Sequence, residues 1–300
     1  MTTATLTSAA VPPLHGAGHG TSSAAADSSI GGLLLASGKI NTENAERVLR
    51  MQKELGIRFG EAAMRLGLIT ENDIAQVLAR QFDYPYLQEG ESGYSPLLVA
   101  AFQPFSPQVE TLRAVRSQLM LRWFARGHKS LAVVSVDSGD GASLFAANLA
   151  VVFSQLGEQT LLVDANMRAP RQHEIFDLKG RLGLSDILAG RAEHDAIARI
   201  ASFVDLSVLA AGTPPPNPQE LLNRSSFAGL NAQLEARYDL VLYDAPAFAL
   251  SSDALALAAR TRGVLLVARK NHTPLADTMA MADQLRHSGA EVVGSVLVDF

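Results

Sequence analysis

The chain has no cysteine. That excludes disulfides and any thiolate-ligated metal centre. It also has no excess of positive charge. Twenty-five Lys and Arg against 30 Asp and Glu leave a net charge of −5, so no overall field draws it to nucleic acid. His15, His19, His128, His173, His194, His272 and His287 are scattered. They show no ligand spacing and read as ordinary surface or core residues. No apolar run approaches the ~18–20 residues that a membrane helix needs. The N-terminal stretch, MTTATLTSAAVPPLHGAGHG, has neither a basic n-region nor an apolar h-region. No secretory signal is expected, and the chain is expected to be cytoplasmic.

What is present suffices for a sizeable core: 48% of the 300 residues are hydrophobic, enough for one large domain or two unequal ones. Residues 1–28 are Ala, Ser, Thr, Gly and Pro with few large apolar groups. They bury too little to offset ordering entropy, and disorder is expected there. Residues 29–88 read as a small helical domain built on a tandem repeat. The first copy carries Ser29, Gly31, Gly38, Ile40, Leu49 and Gln52; the second carries Arg58, Gly60, Gly67, Ile69, Leu78 and Gln81. Each copy predicts a short helix, a glycine-capped turn, a helix start at Asn41 or Thr70, and a second helix. Residues 89–105 read as a linker. Tyr84, Tyr86 and Tyr94 lie around it, as packing residues or, alternatively, phosphoacceptors.

From 106 to 300, apolar runs alternate with amphipathic helical stretches. Strands are predicted at 131–135, 160–163, 206–210, 240–243, 264–267 and 292–298. That alternation predicts an α/β fold, a doubly wound and mostly parallel sheet covered on both faces. Ligand should bind at the carboxyl ends of its strands. The first strand runs into Ser138-Gly139-Asp140-Gly141-Ala142-Ser143-Leu144 and then a helix. A strand, a glycine-rich turn and a helix N-terminus form the usual cradle for phosphate. Yet Ala142 stands where such a loop places its Lys. Two further strands end on acids, Asp164 and Asp244, in the positions from which carboxylates hold magnesium, directly or through water. The alternative is that each acid caps the next turn.

Residues 106–300 resemble the bacterial tyrosine kinases of polysaccharide export, a branch of the deviant P-loop ATPases. The matching residues are Glu110, Arg113 and Arg116 on one helix; Ser138 to Ser143, then Asn148-Leu149-Ala150; Asp164-x-Asn166-x-Arg168-x-Pro170; Gly183-Leu184; Gly212-Thr213-Pro214-Pro215-Pro216-Asn217-Pro218; and Asp244-x-Pro246. The resemblance implies ATP and Mg²⁺ as cofactors. Ser138, Gly139, Asp140, Gly141, Ala142, Ser143, Leu144 and Arg168 would then surround the nucleotide. Ser143, Asp164 and Asp244 would hold the metal, and Asp164, Asn166 and Asp244 would occupy the catalytic positions. It also implies ring assembly through Glu110, Arg113 and Arg116, and a membrane chain-length regulator as partner, expected on a separate polypeptide. The repeat in front resembles the N-terminal domain of type II secretion ATPases, including the variant that binds cyclic di-GMP. That variant uses an Arg at the position of Ser29, and Ser can neither stack on a guanine nor fork to phosphate. The repeat is therefore expected to be a protein-docking module; the alternative is cyclic di-GMP binding, which would run through Arg58.

The departures fall on the chemistry. Ala142 replaces the loop Lys, Asn166 the second acid, Ala247 a Pro and Val298 an Asn. No tyrosine cluster follows Val298 before Phe300. The expected function is a tyrosine-kinase-like P-loop ATPase of exopolysaccharide synthesis with weakened catalysis. The alternative is a non-enzymatic pseudokinase that docks partners. Arg113 and Lys129 are candidate cations to replace the missing Lys.

Overall fold

The computed structural model describes residues 29–71, 73–74, 77–78, 87 and 92–299. The disorder expected for 1–28, and the readings of Gln81, Tyr84, Pro85, Tyr86, Glu89 and Gly90, lie outside those residues. The chain forms two compact units, divided between Phe82 and Asp83.

The first unit carries the repeat in its backbone. Helices α1 (Ile30–Ala36) and α3 (Phe59–Arg65) each have 7 residues, and each is followed by a left-handed glycine, Gly38 or Gly67. Helix α2 (Thr42–Leu55) starts on Asn41, whose side chain accepts from Asn44 N at 2.8 Å. Asp73 N likewise donates to Thr70 Oγ1 at 3.2 Å, so the second predicted helix start is also capped by its hydroxyl. Leu34, Val48, Ala62 and Ala63 close a small apolar core with Ile40, Ile69 and Val77. Lys39 of one copy pairs with Asp73 of the other at 2.7 Å.

The second unit is a seven-stranded sheet in the order β3-β4-β2-β5-β1-β6-β7. The strands are β1 (Ser130–Ser135), β2 (Thr160–Asp164), β3 (Ala198–Arg199), β4 (Leu206–Leu209), β5 (Leu240–Asp244), β6 (Gly263–Arg269) and β7 (Glu291–Val298). All pairs are parallel except β3 with β4. Alternate residues of each strand enter different cores. Leu131, Val133, Leu162 and Leu242 face one side. Ala132, Val134, Leu161 and Tyr243 face the other. Helices α5 (Pro107–Arg122) and α6 (Ala142–Ser154) cover the first face; α10 (Ser225–Arg237), α11 (Asp253–Thr261) and α12 (Leu275–His287) cover the second. The remaining helices of this unit, α4 (Val99–Phe102), α7 (Gln172–Ile175), α8 (Leu184–Leu188) and α9 (Pro218–Asn223), are short. All six predicted strands are present. The two-residue β3 escaped prediction because it is too short to show a period.

The linker expected at 89–105 is, in its described residues 92–105, part of this second unit. Leu98, Ala100 and Ala101 are fully buried. The Asn148 side chain explains why a segment with no helical periodicity is fixed here. It accepts from Ala100 N at 2.9 Å and donates to Leu97 O at 3.2 Å.

Chain order leaves β1 toward β2 and returns past it to β6, so the switch point lies at the carboxyl end of β1. The far end of β1 is pinned by Trp123, which is buried and donates Nε1–H to Ser130 O at 2.9 Å. Its ring lies directly over Gly263, the first residue of β6. Among the described residues no helix is long and apolar enough to cross a membrane.

A methyl group at 263 would overlap the Trp123 ring. Gly263→Ala is therefore expected to destabilise the protein by about 1–3 kcal/mol, the usual cost of overpacking. Urea denaturation checks this: an unchanged midpoint would show that Trp123 yields freely.

Candidate functional site

The loop after β1 is shaped by two glycines. Gly139 has φ 96° and Gly141 φ 85°, left-handed values that a side chain would oppose. Gly141 is the N-cap of α6, so the helix's free amides face the loop. Ser138 and Gly139 form the exposed tip. Asp140 is fully buried and acts as the loop's internal brace: it accepts from Asp137 N at 2.9 Å and from Thr273 Oγ1 at 2.8 Å. Ala142 is buried, its methyl packed in the first core cluster. Leu144 packs against that same cluster and lines a cavity of about 490 Å³ with Gly141, Phe145, Leu112 and Val298.

Strand register brings the two acids together. Asp164 and Asp244 are directly paired residues of β2 and β5, and both are fully buried. Ser143 Oγ donates to Asp244 Oδ1 at 3.1 Å. Asp164 accepts from three backbone amides: Asn166 N at 3.2 Å, and Arg171 N and Gln172 N at 2.9 Å each. The capping reading of Asp164 holds, since this carboxylate folds the turn that follows it. Burial, and then the charge of Asp244, push Asp164 up to about 8. Burial pushes Asp244 up to about 6, against hydrogen bonds from Gln172 and Ser143 that favour its charged form. A hydroxyl and two carboxylates are a donor set suited to magnesium, which takes few protein oxygens and keeps several waters. Among the described residues no group of three or more His, Cys, Asp or Glu side chains could enclose a metal.

Other expected site residues are engaged elsewhere. Arg168 is committed to the buried Asp253, with Nε to Oδ2 at 2.6 Å and Nη2 to Oδ1 at 3.2 Å. Its charge is therefore already compensated on this side of the sheet. Asn166 Oδ1 accepts from Ala169 N at 3.1 Å, a turn-capping role. Arg113 bonds Glu110 and, at 2.6 Å, Pro104 O. Arg116 donates to Val152 O at 2.6 Å. The Glu110–Arg113–Arg116 face thus makes bonds within its own chain. The two candidate replacement cations have partners of their own. Lys129 Nζ binds Glu235 O and Tyr238 O at 2.8 and 2.9 Å, at the opposite end of β1. Arg113 is held by the contacts just given.

Three residues not singled out by their sequence context complete the site. Gln172 is fully buried and donates Nε2–H to Asp244 Oδ2 at 2.8 Å and to Ser143 O at 3.0 Å. Arg269, at the end of β6, reaches Gly139 O at 3.4 Å. Asp253 holds Arg168. Their only cue is position, since each lies just beyond a strand end or in the turn that opens a helix. The two glycine signatures of the resemblance meet in the fold. Asp186 accepts from Gly183 N at 3.1 Å and Thr213 N at 3.0 Å, tying the loop before α8 to the loop after β4.

No family model matches the chain. Curated relatives do. The putative tyrosine-protein kinase CapB of Staphylococcus aureus is 34% identical over 207 residues, which cover 69% of this chain and 90% of that protein. The putative tyrosine-protein kinase EpsB of Ralstonia nicotianae is 35% identical over 199 residues, 66% of this chain but only 26% of that longer protein. Among solved structures, the kinase domain of the Escherichia coli tyrosine kinase ETK matches with a TM-score of 0.67 and 27% identity, covering 73% of this chain and 85% of that one. The septum site-determining protein MinD of Pyrococcus horikoshii, solved with Mg-ADP, matches with a TM-score of 0.50 and 25% identity, covering 57% of this chain and 70% of that one.

The carboxylate pair has a consequence for stability. Both acids titrate higher in the folded chain than the ordinary value of 3.8. Their contribution is complete below about pH 4 and is lost as pH rises toward about 8, because the folded state then holds protons that the unfolded state has released. In metal-free buffer, unfolding free energy should fall across that window. Asp244→Asn, which removes one charge of the pair, should flatten the slope. Urea titrations at successive pH values in chelator read both; an equally steep slope in the variant would show that other groups dominate.

Proposed function

We propose that this chain, which belongs to the bacterial tyrosine-protein kinase family, works as a kinase-like P-loop ATPase in exopolysaccharide synthesis and chain-length control, with weakened catalysis. The observation that carries this reading is the contrast within one site. The glycine loop, Ser143 and both acids lie together at the carboxyl ends of the strands, while Ala142 packs its methyl in the core where the resemblance would put the loop's cation. A nucleotide with magnesium, as found in MinD, suits the loop, the helix amides and the acidic pair. The cavity beside Gly141 and Val298 is of a size for a nucleobase.

When bound, magnesium and nucleotide supply the electrophilic phosphorus. The chain's own residues do the rest. Loop amides orient the phosphates, Ser143 and Asp244 position the metal, and Asp164 orders the turn that carries Asn166. What is lost can be sized. A preorganised charge on the phosphates is worth ~10²–10³ in rate. Asn166 keeps the shape of Asp but accepts no proton from a tyrosine hydroxyl. Ala142 and Asn166 together favour, as a second reading, a regulator that binds nucleotide and docks partners without turning over.

Partners follow from the same reading. Homo-oligomerisation through the Glu110–Arg116 helix is proposed here, with a membrane chain-length regulator as the second partner. The helical unit is proposed as a separate docking or sensing module. Ser29 caps Gly32 N with its hydroxyl at 3.1 Å, and exposed Arg58 makes no side-chain cap bond. Tight cyclic di-GMP binding is not expected from that pair.

Ala142→Lys should tighten ATP binding by about 1–3 kcal/mol, the range for charge-assisted hydrogen bonds. Calorimetry with ATP and magnesium reads this, and equal affinities would defeat the weakened-site reading. Tyrosine phosphorylation should appear fastest when Asn166→Asp is added to that variant. Brisk phosphorylation by the wild type, abolished by Asp164→Ala, would show an intact kinase instead. Reversing Arg113 and Arg116 to Glu should lower the mass seen by sedimentation. A wild type that stays monomeric with its partner's tail present would remove the ground for ring assembly.

A further inference from the structure

The turn after β2 contains one side chain whose bonding is incomplete. Gln172 is fully buried, and its Oε1 has no partner, although a buried amide oxygen ordinarily finds one. Its orientation is fixed by its neighbours. Nε2 faces two acceptors, Asp244 Oδ2 at 2.8 Å and Ser143 O at 3.0 Å. A flipped amide would set oxygen against oxygen at both, so the oxygen must be the free atom. The same residue's backbone N–H donates to Asp164 Oδ2 at 2.9 Å. One glutamine therefore touches both acids of the pair and the first turn of the helix that follows the loop.

We propose that Gln172 is the positioning residue of a divalent-cation site at Ser143, Asp164 and Asp244, and that its free Oε1 accepts a hydrogen bond from a water on that cation. This rests on the nucleotide-and-metal reading above. The physical need is plain. Two buried carboxylates at paired positions repel each other; Ala142 offers no charge, and exposed Arg171, itself paired with Glu174, favours the charged form of Asp244 only through its field. Gln172 answers with neutral donors, one N–H to each acid, and so fixes both carboxylates without cancelling the charge that attracts the ion. Its leftover acceptor matches what a hydrated magnesium ion offers, which is outward-pointing water hydrogens. Outer partners of this kind typically set metal affinity by roughly 10–100-fold.

Mn²⁺ serves as the probe, by electron paramagnetic resonance on the full chain with ADP present. Gln172→Met keeps volume but removes every side-chain hydrogen bond; Gln172→Thr is the second variant. Both should fold, with an unchanged circular dichroism spectrum, and should bind Mn²⁺ about tenfold or more weakly than wild type. ADP affinity measured in chelator should not move, which separates positioning of the cation from general damage to the site. Wild-type Mn²⁺ affinity in the folded variants would overturn the proposal. So would loss of fold in both, since Gln172 would then be a structural brace. Running the series in the Ala142→Lys background separates the two levels. If that background binds Mn²⁺ and ADP but is indifferent to Gln172, only the positioning role falls. If neither background binds Mn²⁺ with ADP, the nucleotide reading and this proposal fall together.

Discussion

Everything at the carboxyl edge of the sheet is arranged around two carboxyl groups placed side by side and out of water. The β2–β5 register makes Asp164 and Asp244 direct neighbours. Burial of both would be costly without compensation, because a charge in a low-dielectric interior needs a partner or a proton. The surroundings supply neutral donors: three backbone amides to Asp164, and a hydroxyl and an amide to Asp244. These leave the pair deprotonated only in part near neutral pH. A site of this kind is incomplete in the electrostatic sense, and a divalent cation is the simplest species that completes it.

The loop opposite the acids shows the other side of the same balance. It is held by Asp140, itself buried, through Asp137 N and Thr273. A cation, Arg269, meets the carbonyl of Gly139 at its tip. Arg168 is matched by Asp253. The loop therefore retains the shape of an anion cradle, from glycine conformations and helix amides, with little of its usual charge. Shape and charge are separable here because shape comes from backbone dihedrals at Gly139 and Gly141, while charge hangs on the single side chain at 142.

Much of this could be read in the sequence, for identifiable reasons. The central strands are short runs rich in Val and Leu, three of which end on acids or run into the glycine loop, and such runs have few alternatives in an alternating chain. The loop, both acids and the glycine signatures have fixed spacing, and the fold brings each where its spacing implies. What was not legible depends on tertiary bonds. Nothing near residues 92–105 signals that Asn148 will capture Ala100 and Leu97. Nothing about Arg168 shows that Asp253, 85 positions on, will neutralise it. Gln172 sits in an ordinary polar turn, and only the closeness of β2 to β5 gives it two acids to bridge. The Glu110–Arg113–Arg116 helix shows the limit of motif reading differently: its residues do line one helix, yet in this chain they bond Pro104 and Val152 as well.

Magnitudes decide which function such a site can keep. Binding a nucleotide draws in general on many weak contributions, such as amides at a helix terminus, apolar contact with the base and a bound metal ion. Loss of one charged contact removes about 1–3 kcal/mol from that sum, which many sites survive. Phosphoryl transfer depends instead on charge placed where it develops in the transition state, and there the same loss costs ~10²–10³ in rate. Replacement of the acid at 166 by Asn acts on the proton and not on binding at all. Both departures thus fall far more heavily on turnover than on occupancy. On the reading proposed above, a chain that pairs Asp164 with Asp244, shapes its loop with Gly139 and Gly141 and carries Ala142 at the loop's end loses more in turnover than in occupancy, because the backbone shapes the loop and no cation at 142 supplies its charge.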